Sequence, residues 1–165
     1  PETITQSLDT ARPDAPKILA DLLEKEAFPL DGIVISAAAF PDPATQRSVL
    51  KPEAEELSQI LEQNVVACYR FVRELFPLLK KQKGRIVLIG STAGIRRDKG
   101  GIYGISKWAL RDFAYQLRDE CKASGVSVSL VNPGGTFTER REKKSPEGTP
   151  PLGGGAVGKG LYPTF

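Results

Sequence analysis

Tyr103-Gly104-Ile105-Ser106-Lys107, with Ser91 twelve residues ahead of the tyrosine, holds the side chains that could move a proton to or from an oxygen atom. A Tyr and a Lys four apart on a helix lie on one face, one above the other. An ammonium beside a phenol favours the phenolate and draws the Tyr pKa down from its usual value of about 10. Such a phenol is a usable general acid or base nearer neutral pH, and the Ser91 hydroxyl could help to hold the oxygen being protonated. Tyr-x-x-x-Lys alone turns up by chance in roughly a quarter of chains this long, so its place among the surrounding elements has to decide its weight.

Those elements alternate between strand and helix. Glu2 to Leu8 reads as a short strand ending at Asp9, and Asp14 could cap a helix running to Phe28 with Ile18, Leu19, Leu22, Leu23 and Ala27 as its apolar stripe. Gly32 to Ser36 reads as a strand buried on both faces. A proline-bearing loop follows from Phe40 to Pro52, then a long helix from Glu53 to Gln82 with a kink expected at Pro77. Arg85 to Ile89 is a β-branched strand, Gly90 to Ile102 a loop, and Tyr103 to Ser124 a helix with Ile105, Ala109, Phe113, Leu117 and Cys121 along one edge. Val126 to Val131 is a last strand, closed by Asn132-Pro133-Gly134. Strands separated by helices imply parallel βαβ units. Ligands of such sheets bind beyond the carboxyl ends of the strands. Asp9, Ser36, Ser91 and Pro133-Gly134 all fall at those ends, which points to a single site.

Composition narrows the alternatives. The 165 residues suit one domain with a sizeable core, and a net charge of +3 with no basic block interleaved with aromatics argues against nucleic acid. No apolar run approaches the roughly 20 residues of a membrane span, and no signal peptide is expected. Cys68 and Cys121 are isolated and set in helical patterns, which reads as free buried thiols in a reducing, cytoplasmic setting. With no His and no clustered Cys, no metal site is expected. The chain opens at Pro1 and has no Met, as expected of part of a longer product. From Glu139 the periodicity stops. Glu139 to Lys144 is a charge run, and Pro146 to Pro163 is a Gly- and Pro-rich loop.

From Asp9 to Thr138 the sequence resembles the classical short-chain dehydrogenase/reductase family. The matching pieces come in the family's order: Asp9 after a strand, Asn64 inside the long helix, Gly90-Ser91 after a strand, Tyr103-x-x-x-Lys107, and Pro133-Gly134-x-x-x-Thr138. The resemblance implies an α/β fold, a Rossmann-like doubly wound parallel sheet incomplete at the N-terminus. Residues 1–138 would form a partial dinucleotide-binding and catalytic domain and 139–165 an irregular tail. It implies an NAD or NADP cofactor, a small-molecule carbonyl or alcohol substrate, and a homodimer or homotetramer built on the two long helices. Tyr103 would be the general acid in reduction and the base in oxidation. Lys107 would bind the nicotinamide ribose, Ser91 the substrate oxygen, and Asn64 a water extending the proton relay. Asp9 would meet the adenine; Ser36, Ala37 and Ala38 would border the cofactor; Pro133, Gly134 and Thr138 would flank the nicotinamide. The alternative is a non-catalytic cofactor-sensing or oligomerisation module, or an inactive fragment.

Departures from the family pattern are specific. Ser36-Ala37-Ala38-Ala39 stands where the family has Asn-Asn-Ala-Gly, and the interval from Ser91 to Tyr103 is one residue short of the usual. The family's phosphate-binding Gly-x-x-x-Gly-x-Gly turn does not precede Asp9, so a sheet short of roughly two strands and two helices is expected. Gly154-x-x-x-Gly158-x-Gly160 matches that pattern at the far end, but without the strand before and helix after that a phosphate turn needs. The 165 residues by themselves are therefore expected to bind nicotinamide cofactor poorly.

Overall fold

A computed structural model describes residues 5–96 and 100–134. Thr138, the charge run from Glu139 and the glycines 153–160 lie outside the described residues, as does the front of the segment expected to be a first strand. Its described remainder, 5–8, is not a strand. Thr5, Gln6 and Ser7 are exposed, with no neighbouring strand to pair with among the described residues.

Three short β-branched segments form a parallel sheet in chain order: β1 Gly32–Ile35, β2 Arg85–Ile89 and β3 Ser127–Val131. The register sets Ile33 beside Ile86 and Ile35 beside Leu88, and Ile86 beside Val128 and Leu88 beside Leu130. Because side chains alternate along a strand, these six share one face. The helices α1 Ala15–Lys25, α3 Ala67–Gln82 and α4 Gly101–Cys121 supply their partners. Cys68, Val72 and Leu79 of α3 meet Leu110, Ala114 and Cys121 of α4 over the sheet, while Ala15 and Ala20 of α1 pack with Phe71 and Leu75. The other face is open among the described residues, and Val34 is 68% exposed there. The expectation that this strand is buried on both faces is therefore corrected. It is the edge strand of the described sheet, and no helix among the described residues covers its wet face.

The long helix also differs from expectation. It is broken at Glu62–Val66, where one π-helical turn separates α2 Ala54–Leu61 from α3. Pro77, where a kink is expected, lies inside α3, which runs on through it. Pro77 is exposed, so the carbonyl its missing N–H would have bonded faces water. The π-turn holds Asn64, which is fully buried, and such turns favour functional positions. In α4 the buried face carries Ile102, Ser106, Lys107, Leu110, Ala114 and Cys121, and Ile105 is 43% exposed. Of the edge expected to be apolar, Phe113, Leu117 and Cys121 reach the core and Ile105 does not, because a hydroxyl and an ammonium face inward at this end of α4. Asp14 stands at the start of α1 without capping it, since its carboxylate is drawn to Arg12 at 2.6 Å. No helix among the described residues is long and apolar enough to cross a membrane.

Candidate active site

Parallel strands end on one side of a sheet, and backbone hydrogen bonds there gather the chain. Gly90 N–H donates to Val131 O (2.7 Å), Ser91 N–H to the Asn132 Oδ1 (3.1 Å) and Thr92 N–H to Pro133 O (3.1 Å). These three bonds hold Ser91 beside Pro133-Gly134. Asn132 is buried, and among the described residues its Nδ2 finds no partner. Gly90 is required here, because a Cβ would collide with the Asn132 amide oxygen.

α4 is brought to the same place by polar contacts on two sides. Lys107 is 2% exposed and its ammonium donates to Ile89 O at 3.1 Å, at the end of β2. A solvent-exposed Tyr–Lys pair is therefore not what the motif forms. Burial pulls the Lys107 ammonium below the ordinary lysine value, and the charge of a Cys68 thiolate would oppose that shift. The same burial pushes the Cys68 thiol up. Gly94, in the one-turn 3-10 helix Thr92–Gly94, rests against the Lys107 carbonyl, and a Cβ there would lie 2.6 Å from that oxygen. The Lys107 Nζ stands 5.6 Å from the centroid of the Tyr103 ring, and Phe40 stacks on that ring at 4.8 Å between centroids and 15° between planes.

On the other side Asn64 reaches both the end of β1 and α4. Its Oδ1 accepts from Ala39 N–H (2.7 Å), and its Nδ2 donates to Ala39 O (3.0 Å) and to Ser106 Oγ (3.0 Å). Ser106 in turn donates to Tyr103 O at 2.8 Å. Both hydrogens of the Asn64 amide are thus engaged, and its backbone carbonyl accepts the Cys68 thiol at 3.5 Å.

Of the residues singled out in the sequence, Asn64, Ser91, Tyr103, Lys107, Pro133 and Gly134 fall on this one network or its rim. Ser36, Ala37 and Ala38 follow β1 at the same sheet edge. Ser91 also accepts from Ala93 N–H (3.1 Å), capping the 3-10 turn, and among the described residues its own hydrogen is not donated. Asp9 stands apart from the network. Its carboxylate is exposed and accepts from Ala11 N–H (3.0 Å) within its own turn. The next residue, Thr10, lines a groove of about 330 Å³ along β1 that runs to Ser36 and Ala37 and stops short of Tyr103. Trp108 packs along α4, with Arg111 over its ring and its indole N–H near Arg96 O. Among the described residues there is no cluster of His, Cys, Asp and Glu able to hold a metal ion.

Sequence reasoning missed Ser106, Phe40 and Asn132. Ser106 had a signal. It lies three residues after Tyr103, and Leu110 continues its line, so the buried face could have been drawn through it. Phe40 and Asn132 carry no periodic signal, because both lie in loops.

The family model for short chain dehydrogenases matches residues 1–148. Retinol dehydrogenase 7 of Rattus norvegicus is 35% identical over 84 residues, 51% of this chain and 26% of that protein. Enoyl-[acyl-carrier-protein] reductase (NADH) from Aquifex aeolicus VF5 superposes with a TM-score of 0.74 at 24% identity, over 81% of this chain and 53% of that one. The structure of ElxO with NADP bound gives a TM-score of 0.74 at 22% identity, over 84% and 56%. The chain spans from a quarter to about half of the length of the curated relatives it matches. Three parallel strands whose carboxyl ends gather the Ser91, Tyr103 and Lys107 side chains, together with a family match over most of the sequence, place this chain in the short-chain dehydrogenase family.

Proposed function

We propose that the full-length protein is an NAD(P)-dependent oxidoreductase acting on a carbonyl or secondary alcohol, with Tyr103 as the proton donor in reduction and acceptor in oxidation. The observation that carries this reading is the buried Lys107 ammonium, 5.6 Å from the Tyr103 ring at the end of β2. Burying an ammonium in a partly apolar cleft costs free energy. Lys107 is the one charged side chain that is buried among the described residues, and it stands next to a phenol, where proton transfer would use it.

The donor set suits a nicotinamide cofactor. An ammonium has three hydrogens, and one goes to Ile89 O, which leaves Lys107 able to donate to vicinal ribose hydroxyls. Ser36, Ala37 and Ala38 would border the sugar and phosphates, with Pro133 and Gly134 beside the nicotinamide. When bound, the cofactor supplies or receives the hydride. The protein's own part is to hold the substrate oxygen between the Ser91 hydroxyl and the Tyr103 phenol, and to pass the proton at the phenol oxygen. Resemblance to the enoyl reductase (NADH) of Aquifex aeolicus and to NADP-bound ElxO supports a nicotinamide cofactor.

The test uses the full-length protein and a panel of ketones and aldehydes with NADH and NADPH. Tyr103→Phe is expected to lower kcat by about a hundredfold or more with the cofactor Kd unchanged, and Lys107→Ala to damage both. Retention of most of kcat in Tyr103→Phe would refute the assignment.

A further inference from the structure

We propose that Ser106 is a positioning residue for Tyr103 and Lys107, acting through the buried amide of Asn64; the proposal rests on the reading just given for that pair. Ser106 and Asn64 are both 0% exposed. The Ser106 hydroxyl is used in both directions, as donor to Tyr103 O and acceptor from Asn64 Nδ2. Asn64 is fixed by Ala39, whose N–H and C=O both bond to it. A backbone segment at the end of β1 is thus coupled to the turn of α4 that carries the phenol.

The next residue of α4 is anchored from elsewhere. The Lys107 side chain is held by Ile89 O, and its carbonyl lies against Gly94. Successive helical residues point about 100° apart. Anchors at 106 and 107 therefore grip the helix from two directions and oppose both rotation about its axis and sliding along it. Tyr103 lies one turn back from both residues. The spacing of Tyr103 and Lys107 puts both side chains on one face, and because the Lys107 Nζ is tethered to Ile89 O, the way this turn is rotated sets how near the phenol stands to that ammonium. On the outer side of that turn Ile105 and Trp108 are 43% and 38% exposed, so the polar grip comes from the inner side. Apolar packing farther along, at Leu110 and Ala114, resists separation of α4 from the sheet but is not directional. A hydroxyl with both hydrogen-bond roles filled is.

If Ser106 acts in this way, removing its hydroxyl should loosen the electrostatic coupling of Tyr103 to Lys107 while the cofactor site stays intact. Two measurements on the full-length protein test this. One is a tyrosinate ultraviolet difference titration of each variant against the same protein carrying Tyr103→Phe. The other is the pH profile of kcat. In Ser106→Ala the phenol titration is expected to move to higher pH by about half a unit or more. At neutral pH kcat should drop about tenfold, with the KM for NAD(P)H within about twofold of wild type. Ser106→Thr keeps the hydroxyl and should retain the wild-type titration; if its extra methyl prevents folding, Ser106→Ala alone decides. An unchanged phenol titration and an unchanged pH profile in folded Ser106→Ala would overturn the proposal. Failure of the oxidoreductase reading would look different. Tyr103→Phe would then keep its turnover, while the titration shift in Ser106→Ala would still report the coupling.

Discussion

Replacing Asn64 by Asp turns a pH-independent anchor into a pH-dependent one, and the structure sets the size of the effect. The substitution is nearly isosteric. One oxygen still accepts from Ala39 N–H, but the other replaces an NH2 that donates to Ala39 O and to Ser106 Oγ. As a carboxylate it would face two acceptors. Two hydrogen bonds are lost, at about 1 kcal/mol each, and a charge is left fully buried. Together these should cost about 3–5 kcal/mol. The neutral acid recovers one donor, so that form should cost only about 1 kcal/mol. Burial and the facing carbonyl raise the folded-state pKa of such a carboxyl above its unfolded value of about 3.9. The folded chain then binds more protons than the unfolded one, so stability relative to wild type falls as pH rises above 4. With m of about 1–3 kcal/mol/M, the urea midpoint should trail wild type by about 1–2 M more at pH 7 than at pH 4. Asn64→Ala serves as the control, since its deficit should not change over that range. Equal deficits for Asn64→Asp at the two pH values would mean that Asn64 is not the buried donor described here.

Lys107→Met should make the cofactor-free protein more stable than wild type at pH 7, with the gap closing as pH approaches about 10.5. The buried amine binds its proton less well folded than unfolded, so wild-type stability rises with pH through that window; urea midpoints at pH 7 and pH 10 check this, and a constant gap would contradict it. Gly94→Ala should cost about 1–3 kcal/mol, because its Cβ meets the Lys107 carbonyl, and thermal unfolding that matches wild type would refute the close approach. Cys68 and Cys121 are 3% and 1% exposed and both thiols are raised by burial, so a thiol reagent at pH 8 should label neither until urea is added. Tyr69, Ile105 and Trp108 leave aromatic and apolar surface exposed on α3 and α4, and sedimentation of the full-length protein should give a dimer or tetramer; a monomer at micromolar concentration would count against an interface there.

The parallel βαβ order, the strand ends and the Tyr103–Lys107 pair were legible in the sequence because each depends on local signals. β-branched runs mark β2 and β3, apolar spacing marks the helices, and a spacing of four puts two side chains on one face whatever the rest of the chain does. The strand read at Val126 to Val131 is found at Ser127–Val131, with Val128 and Leu130 buried. What the sequence could not decide is which direction each helix turns that face. Ser106 and Lys107 point inward because their hydrogen-bond partners, Asn64 and Ile89, come from segments 42 and 18 residues away. Hydropathy places polar residues outside by default, so it drew the buried edge of α4 through Ile105 instead. The break in the long helix has the same origin. Pro77 carries the stronger local signal, yet it faces water and leaves the helix whole, while the turn at Glu62–Val66 is distorted around an amide whose three partners lie at Ala39 and Ser106. Local chemistry determines which elements form. The pairing of buried polar groups between distant segments determines how those elements are turned, because such groups are costly unless each meets its partner.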